Sequence, residues 1–258
     1  MLIGNSTYSI KGQDHSGYWH STTQDKWAIW VVDGAYPLGN ESADDVETLA
    51  TDISNHFLAA YESDGVQKAR TILRTVISKL PPMKATATLT LAQSNGEILT
   101  LGDSEAVLSN GHRIMSPEFS GVEEAIMSRI KEKLDAGWDE HDAYYSVHDT
   151  LVDRRERRNK LNNSSGWIMG EENRYFIPSQ AHVTSFDPRN GAIVITDGFS
   201  RILDWGLEES LFDMVKEEKT DNTITQLRQV EQADPLKTQH LRFSVSDDAS
   251  IAWYLPDA

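Results

Sequence analysis

Three aspartates stand where a folded chain could gather them for metal chemistry. Asp33-Gly34 and Asp197-Gly198 each end a short apolar run, Ala28–Val32 and Ala192–Thr196, and Asp247 stands just before a third, Ala249–Leu255. Four to eight apolar or β-branched residues bounded by turn formers read as buried strands. A carboxylate at the end of a buried strand is held by a stiff scaffold, and a following glycine lets the backbone turn sharply toward a ligand. One Asp-Gly alone reads as a strand-ending turn. Three acids with the same strand-edge placement, far apart in sequence, are what an oxygen-ligated divalent cation needs.

The elements that must carry these acids follow from periodicity. Residues Ser6–Tyr18 and Lys26–Asp33 read as strands. Glu41–Tyr61 places Val46, Leu49, Ile53, Phe57, Ala60 and Tyr61 at helical spacing, so one face is buried. A second helix is predicted over Val66–Leu80 and stops at Pro81-Pro82. Ala85–Ala92, Ile98–Leu101 and Ala106–Leu108, separated by turns at Asn95-Gly96 and Gly102-Asp103, read as an antiparallel meander. Helices are predicted over Val122–Leu134 and His141–Leu161, and strands over Gly166–Gly170 and His182–Phe186. Short helices around Ile202–Trp205, Leu207–Lys216 and Asn222–Glu231 precede the closing strand. Without a regular βαβ alternation, the order favours α+β, with antiparallel sheets covered by helices. No repeat, low-complexity tract or linker interrupts it, so residues 1–258 are expected to form a single domain.

Composition narrows the chemistry further. A chain of 258 residues that is 39% hydrophobic with 7 Trp is not disordered. Its 24 Lys and Arg against 40 Asp and Glu leave a formal charge of −16, which argues against nucleic acid and anionic membranes as partners. Divalent cations would offset such clustered acids. The absence of cysteine excludes disulfides, zinc-thiolate sites and thiol nucleophiles. No stretch approaches the ~20 apolar residues of a membrane span, and the N-terminus lacks signal-peptide regions. The chain therefore reads as cytoplasmic and mature as written, and the lack of a heptad run makes a monomer the default. Scattered histidines offer no His-x-x-x-His pair, and Ser104 does not lie in a Gly-x-Ser-x-Gly elbow.

Six motifs occur in order: Gly12-Gln13-Asp14, Val31-Val32-Asp33-Gly34, Ala85-Thr86-Ala87-Thr88-Leu89, Gly102-Asp103-Ser104-Glu105-Ala106, Thr196-Asp197-Gly198-Phe199 and Asp247-Asp248-Ala249-Ser250. This series resembles the PP2C-type metal-dependent protein serine/threonine phosphatases, in particular their bacterial branch, from Gly12 to Tyr254. The resemblance implies a four-layer α-β-β-α sandwich of two antiparallel sheets flanked by helices. It also implies a cleft at one end of the sheets holding two Mn²⁺ or Mg²⁺ ions, with a place for a third. By position, Asp33 would bridge both ions and the Gly34 carbonyl would bind the second. Asp197 and Asp247 would hold the first ion, Asp14 would act near the second, and Asp103 with Asp197 would take the third. The implied activity is hydrolysis of phosphoserine and phosphothreonine in a phosphoprotein substrate by a metal-bound hydroxide, with Asp33, Asp197 and Asp247 as catalytic residues. The chemistry is coherent, because paired divalent ions activate water and neutralise phosphoryl oxygens without a protein nucleophile.

Departures from the family pattern open one rival, and the metal chemistry itself opens another. Ala35-Tyr36-Pro37-Leu38-Gly39 replaces the usual Gly-rich run, so no leaving-group acid stands there, and His15 is one substitute. The arginine that often cradles phosphate is missing, since position 9 is Ser, leaving Lys11 as the nearest cation. The basic stretch Arg154–Lys160 offers Arg155 and Arg158 as further phosphate ligands, or simply a solvated helix end. One rival is a catalytically weak or inactive phosphoprotein-binding module. The other is a two-metal phosphodiesterase or nuclease, since the same metal arrangement can cleave diesters; the charge of −16 weighs against nucleic acid, and action on a diester separates it. Gln13 replaces the common Glu and removes one negative charge from the second-metal shell. Gln13→Glu should therefore bind Mn²⁺ more tightly than the parent chain in a calorimetric titration, and equal affinities reject the idea.

Overall fold

The strand that ends in Asp33 organises the molecule. β3 (Lys26–Gly34) is buried from Trp27 to Val32, and its alternate residues serve two different cores. Ala28, Trp30 and Val32 pack toward helices, while Trp27, Ile29 and Val31 pack toward a second sheet. A strand covered on both faces has no polar face to show, which explains its unbroken apolar run. The computed structural model describes residues 1–35, 42–81, 85–158 and 181–256.

One antiparallel sheet runs β2 (Asp14–Ser21), β3, β4 (Ala87–Gln93), β5 (Glu97–Leu101) and β8 (His182–Ser185). The other runs β1 (Leu2–Tyr8), β10 (Ala249–Leu255), β9 (Ala192–Ile195), β6 (Glu105–Leu108) and β7 (Arg113–Ile114). Between them lie Trp27, Ile29, Val31, Ala92, Val194 and Ala252, with Trp27 stacked on Tyr254 at 4.0 Å between ring centres. Helices α1 (Ala43–Asp64) and α2 (Ala69–Ile77) cover the first sheet through Leu49, Ile53, Phe57, Ile72 and Leu73. Helices α6 (Asp197–Asp204), α7 (Leu211–Lys216) and α8 (Thr220–Ala233) cover the second through Phe199, Ile202, Met214 and Leu227. Each large apolar side chain removed from water in these layers contributes about 1.5–3 kcal/mol. The expected four-layer α-β-β-α sandwich is therefore present. α3 (Val122–Asp135) and α4 (Glu140–Tyr145) share a smaller core of Ile126, Met127, Ile130, Ala143 and Val147 beside α5 (His148–Arg158).

Element boundaries follow local chemistry. α1 begins where the Ser42 side chain accepts the Asp45 N–H, and ends at Gly65 with φ +65°. Three expectations need correction. Ser6–Tyr18 is not one strand but two, β1 and β2, in different sheets. The helix expected over His141–Leu161 breaks into α4 and α5 at Ser146 and Val147. The helix expected from Ile202 instead starts at Asp197, directly after β9. The strand expected over Gly166–Gly170 lies outside the described residues. No helix among the described residues is long and apolar enough to cross a membrane.

The break between β1 and β2 has a distant cause. The Asp248 carboxylate, just before β10, accepts backbone N–H groups of Ile10, Lys11 (2.6 Å), Gln13 (2.5 Å) and Asp14 (3.3 Å). Amides that a continuous strand would have spent on a neighbour converge instead on one buried anion. Here α6 also presses on the β10 entry: a Cβ on Gly198 would lie 1.9 Å from the Asp248 carbonyl oxygen. Gly198→Ala should therefore cost about 1–3 kcal/mol. A urea midpoint unchanged from the parent chain would contradict that close approach.

Candidate metal centre

The site is assembled from four strand ends. Asp14 and Asp33 are register partners on β2 and β3. Asp33 continues the alternation of Trp27, Ile29 and Val31, so it belongs to the face between the sheets. Asp197 opens α6, and a backbone pair ties that turn to β10. The Thr196 N–H reaches the Ser250 carbonyl at 3.1 Å, and the Ser250 N–H reaches the Thr196 hydroxyl oxygen at 3.0 Å. Asp103 sits in the turn between β5 and β6, where Gly102 has φ +99° and the neighbouring Ser104 hydroxyl pairs with Thr88 at 2.7 Å. Gly34 donates its N–H to the Gln13 carbonyl at 2.9 Å, and a Cβ there would come within 2.5 Å of that oxygen. The backbone at Gly34 is thus packed directly against the Asp14 strand entry.

Asp247 is delivered by a loop with its own internal scaffold. Arg242 is buried and donates to the carbonyls of Glu231, Asp234, His240 and Val245, and to the Asp234 carboxylate at 2.8 Å. Burial would raise the Asp234 pKa, but Arg242 and the N–H groups of His240, Thr238 and Gln239 outweigh it and hold the carboxyl well below its ordinary range. At the loop's end, Arg228 donates to the Asp247 carbonyl at 2.6 Å while pairing with buried Glu231 at 2.7 Å.

The electrostatics are dominated by like charges. Burial and then Asp14, Asp197, Asp103 and Asp247 push the Asp33 carboxyl well above its ordinary value. Burial and then Asp197 do the same to Asp14, against a hydrogen bond from Thr196. Burial, Asp247 and Asp103 push Asp197 up to about 6, opposed by Arg201 and a hydrogen bond shared with Asp33. Asp14 is 4% exposed, and its Oδ2 has no hydrogen-bond partner. A buried carboxylate oxygen without a donor is costly unless protonated or bound to a cation. These residues fit a hard divalent ion, whose preferred ligands are carboxylate and carbonyl oxygens.

Of the sequence-predicted residues, Asp33 feels the charges of Asp14, Asp103, Asp197 and Asp247, Asp197 those of Asp103 and Asp247, and Asp14 those of Asp197 and Asp247, so the five acids share one neighbourhood. Lys11 is there too, but its ammonium meets Asp247 at 2.8 Å. His15 lies elsewhere: its Nε2 pairs with Thr51 of α1 at 2.9 Å, on the helix-covered side of the sheet. Arg155 and Arg158 fall on α5, and their side chains lie outside the described residues. Among the described residues, the one group of three acid or imidazole ligands closing within 4.8 Å is exposed Asp139, His141 and Asp142. That trio is a helix cap, with Asp139 accepting the Asp142 N–H at 3.0 Å at the start of α4. The cleft acids are spread more widely than a one-ion cage.

Sequence reasoning missed Asp248, Arg201 and Glu123. Arg201 follows Asp197 by four residues, a spacing that could have flagged it on a helix starting at Asp197. Glu123 lies in the first turn of α3 with an exposed side chain, and its carboxyl is raised by crowding of protein around it and then by Asp197 and Asp103.

The raised acids set a pH dependence. Their pKa values are higher folded than unfolded, so the stabilisation is complete below about pH 4 and lost as pH rises through the folded values. Asp234, shifted the other way, acts below that window. With chelator present, stability should fall by about 2 kcal/mol from pH 4 to 7. Asp33→Asn should flatten this slope; a parallel slope in the variant would exclude the cleft as its source.

No protein-family profile matches the sequence, and no curated protein matches it. Solved structures do match over the full chain. The serine/threonine phosphatase Stp1 from Staphylococcus aureus is 12% identical, with a TM-score of 0.51, covering 100% of this chain and 96% of that one. The S. agalactiae serine/threonine phosphatase is 11% identical, with a TM-score of 0.51 and coverage of 99% and 100%. The photosystem II phosphatase PBCP is 10% identical, with a TM-score of 0.54 and coverage of 98% and 99%. Two five-stranded antiparallel sheets between helical layers, matched end to end by these proteins, give the chain the PP2C-type phosphatase fold.

Proposed function

We propose that the chain is a metal-dependent phosphoprotein phosphatase acting on phosphoserine or phosphothreonine, with residues 1–258 working as one domain. One observation carries this reading: Asp14, Asp33, Asp103, Asp197 and Asp247 converge at the end of the paired sheets, with a buried Asp14 oxygen lacking any donor. A structural core has no use for such mutually repelling groups, whereas a cation-binding cleft requires them. Mn²⁺ or Mg²⁺ bound there supplies positive charge to phosphoryl oxygens and makes water acidic enough to attack near neutral pH.

The chain's own residues would do the rest. Asp33 would be shared between ions, a role supported by its register pairing with Asp14 and its hydrogen bond with Asp197. Asp197 and Asp247 would complete one ion site, and the Gly34 carbonyl and Asp14 the other. Asp103 and Asp197 would frame a third. Lys11, Arg155 and Arg158 are the candidate phosphate ligands, and the acidic surface disfavours nucleic acid as substrate. A cytoplasmic monomer acting on a phosphoprotein partner is the working assembly.

A second reading, a catalytically weak binding module, is favoured by the cations already on Asp247, Lys11 at 2.8 Å and Arg201 at 3.5 Å. A Mn²⁺-dependent p-nitrophenyl phosphate assay separates the two. For the phosphatase, Asp33→Asn and Asp197→Asn should each lower kcat by about 10²–10³-fold, and bis-p-nitrophenyl phosphate should be a poor substrate. Turnover that neither substitution changes would reject the reading, as would a preference for the diester.

A further inference from the structure

Asp247 differs from its neighbours in the cleft. Asp33 is surrounded chiefly by other acids, and one Asp14 oxygen has no donor. The Asp247 carboxylate, in contrast, is saturated. Its Oδ1 accepts from Lys11 Nζ at 2.8 Å and from the Asp248 N–H at 3.1 Å. Its Oδ2 accepts from the Ser244 hydroxyl at 3.1 Å and faces an Arg201 guanidinium nitrogen at 3.5 Å.

The two cations are held differently. Arg201 is 9% exposed and anchored by Glu231 at 2.8 Å, so leaving would strip that buried glutamate of one of its two arginine partners, the other being Arg228. The Lys11 side chain is 24% exposed and reaches Asp247 on a flexible four-carbon stem. Its backbone, however, is fixed, because the Lys11 N–H donates to Asp248 Oδ1 at 2.6 Å within the turn that separates β1 from β2. A pinned backbone with a movable ammonium keeps one positive charge permanently beside one carboxylate.

Resting on the reading of the cleft as a metal centre, we infer that Lys11 is a resident cation on Asp247, which a divalent ion displaces when it takes that carboxylate. Two physical effects make this displacement unfavourable. The ion pair and its charge-assisted hydrogen bond are lost, and the ammonium, tethered nearby, repels the incoming ion. Lys11 thereby sets metal affinity without being a metal ligand.

The test is calorimetric titration of Mn²⁺ into the full chain at fixed pH and salt. It compares the parent protein with Lys11→Met, Lys11→Gln, Lys11→Arg and Asp33→Asn, and melting curves in chelator identify any variant that has lost its fold. Both neutral variants should bind Mn²⁺ about tenfold more tightly, a change of about 1.4 kcal/mol. Lys11→Arg, which keeps the charge, should stay within about threefold of the parent. Unchanged or weaker affinity in the neutral variants, with Asp33→Asn still weakening binding, overturns the role of Lys11 and leaves the metal centre standing. No uptake by any protein, or uptake that Asp33→Asn does not alter, overturns both.

Discussion

Negative charge gathered at the buried end of two sheets is the constraint around which this molecule is built. Asp14 and Asp33 face each other on neighbouring strands, and Asp197 is close enough to share a hydrogen bond with Asp33. Left free to move, such groups would separate, since like charges in a low-dielectric setting repel strongly. They stay together because each is fixed to an element that cannot move independently. β3 is locked between two cores, α6 is tied to β10 through Thr196 and Ser250, and Asp247 hangs from a loop stiffened by Arg242. The apolar layers hold the acids in place, and the acids leave a demand for positive charge that the folded chain meets only in part.

How that demand is met differs across the cleft. On the Asp247 side the protein supplies its own cations, through Lys11 and through the Arg201–Glu231–Arg228 group. On the Asp14 side one buried carboxylate oxygen is left without a partner. The site is therefore electrostatically lopsided, and a divalent ion would gain most where the chain offers least. Asp248 serves a different purpose from its neighbour Asp247. Its carboxylate gathers the amides of residues 10–14 and so shapes the turn that brings Lys11 and Asp14 to the cleft.

Several elements were legible from residue order alone. The unbroken apolar run of β3, the helical spacing of Leu49, Ile53 and Phe57, and the Asn-Gly turn after β4 are local signals, and each matches the element found. The misread segments failed for one shared reason. Ser6–Tyr18 divides because of a carboxylate more than 230 residues away in the chain, with partners such as Ile10 and Asp248 separated by 238 positions. α6 starts early because the Thr196 turn is pinned by Ser250 of another strand. Propensity within a window cannot register such partners.

Residue types and their placement at strand ends determined that this chain has candidate acids, no thiol chemistry and a layered α+β architecture, because alternation and turn chemistry are written locally. Only the tertiary structure decided which acids confront one another, that His15 lies under α1 rather than in the cleft, and that Lys11 rests on Asp247. Those outcomes depend on the register of β2 against β3 and on the junction of α6 with β10. Register and docking are settled by side-chain packing summed over both sheets, and no short stretch of sequence contains that sum.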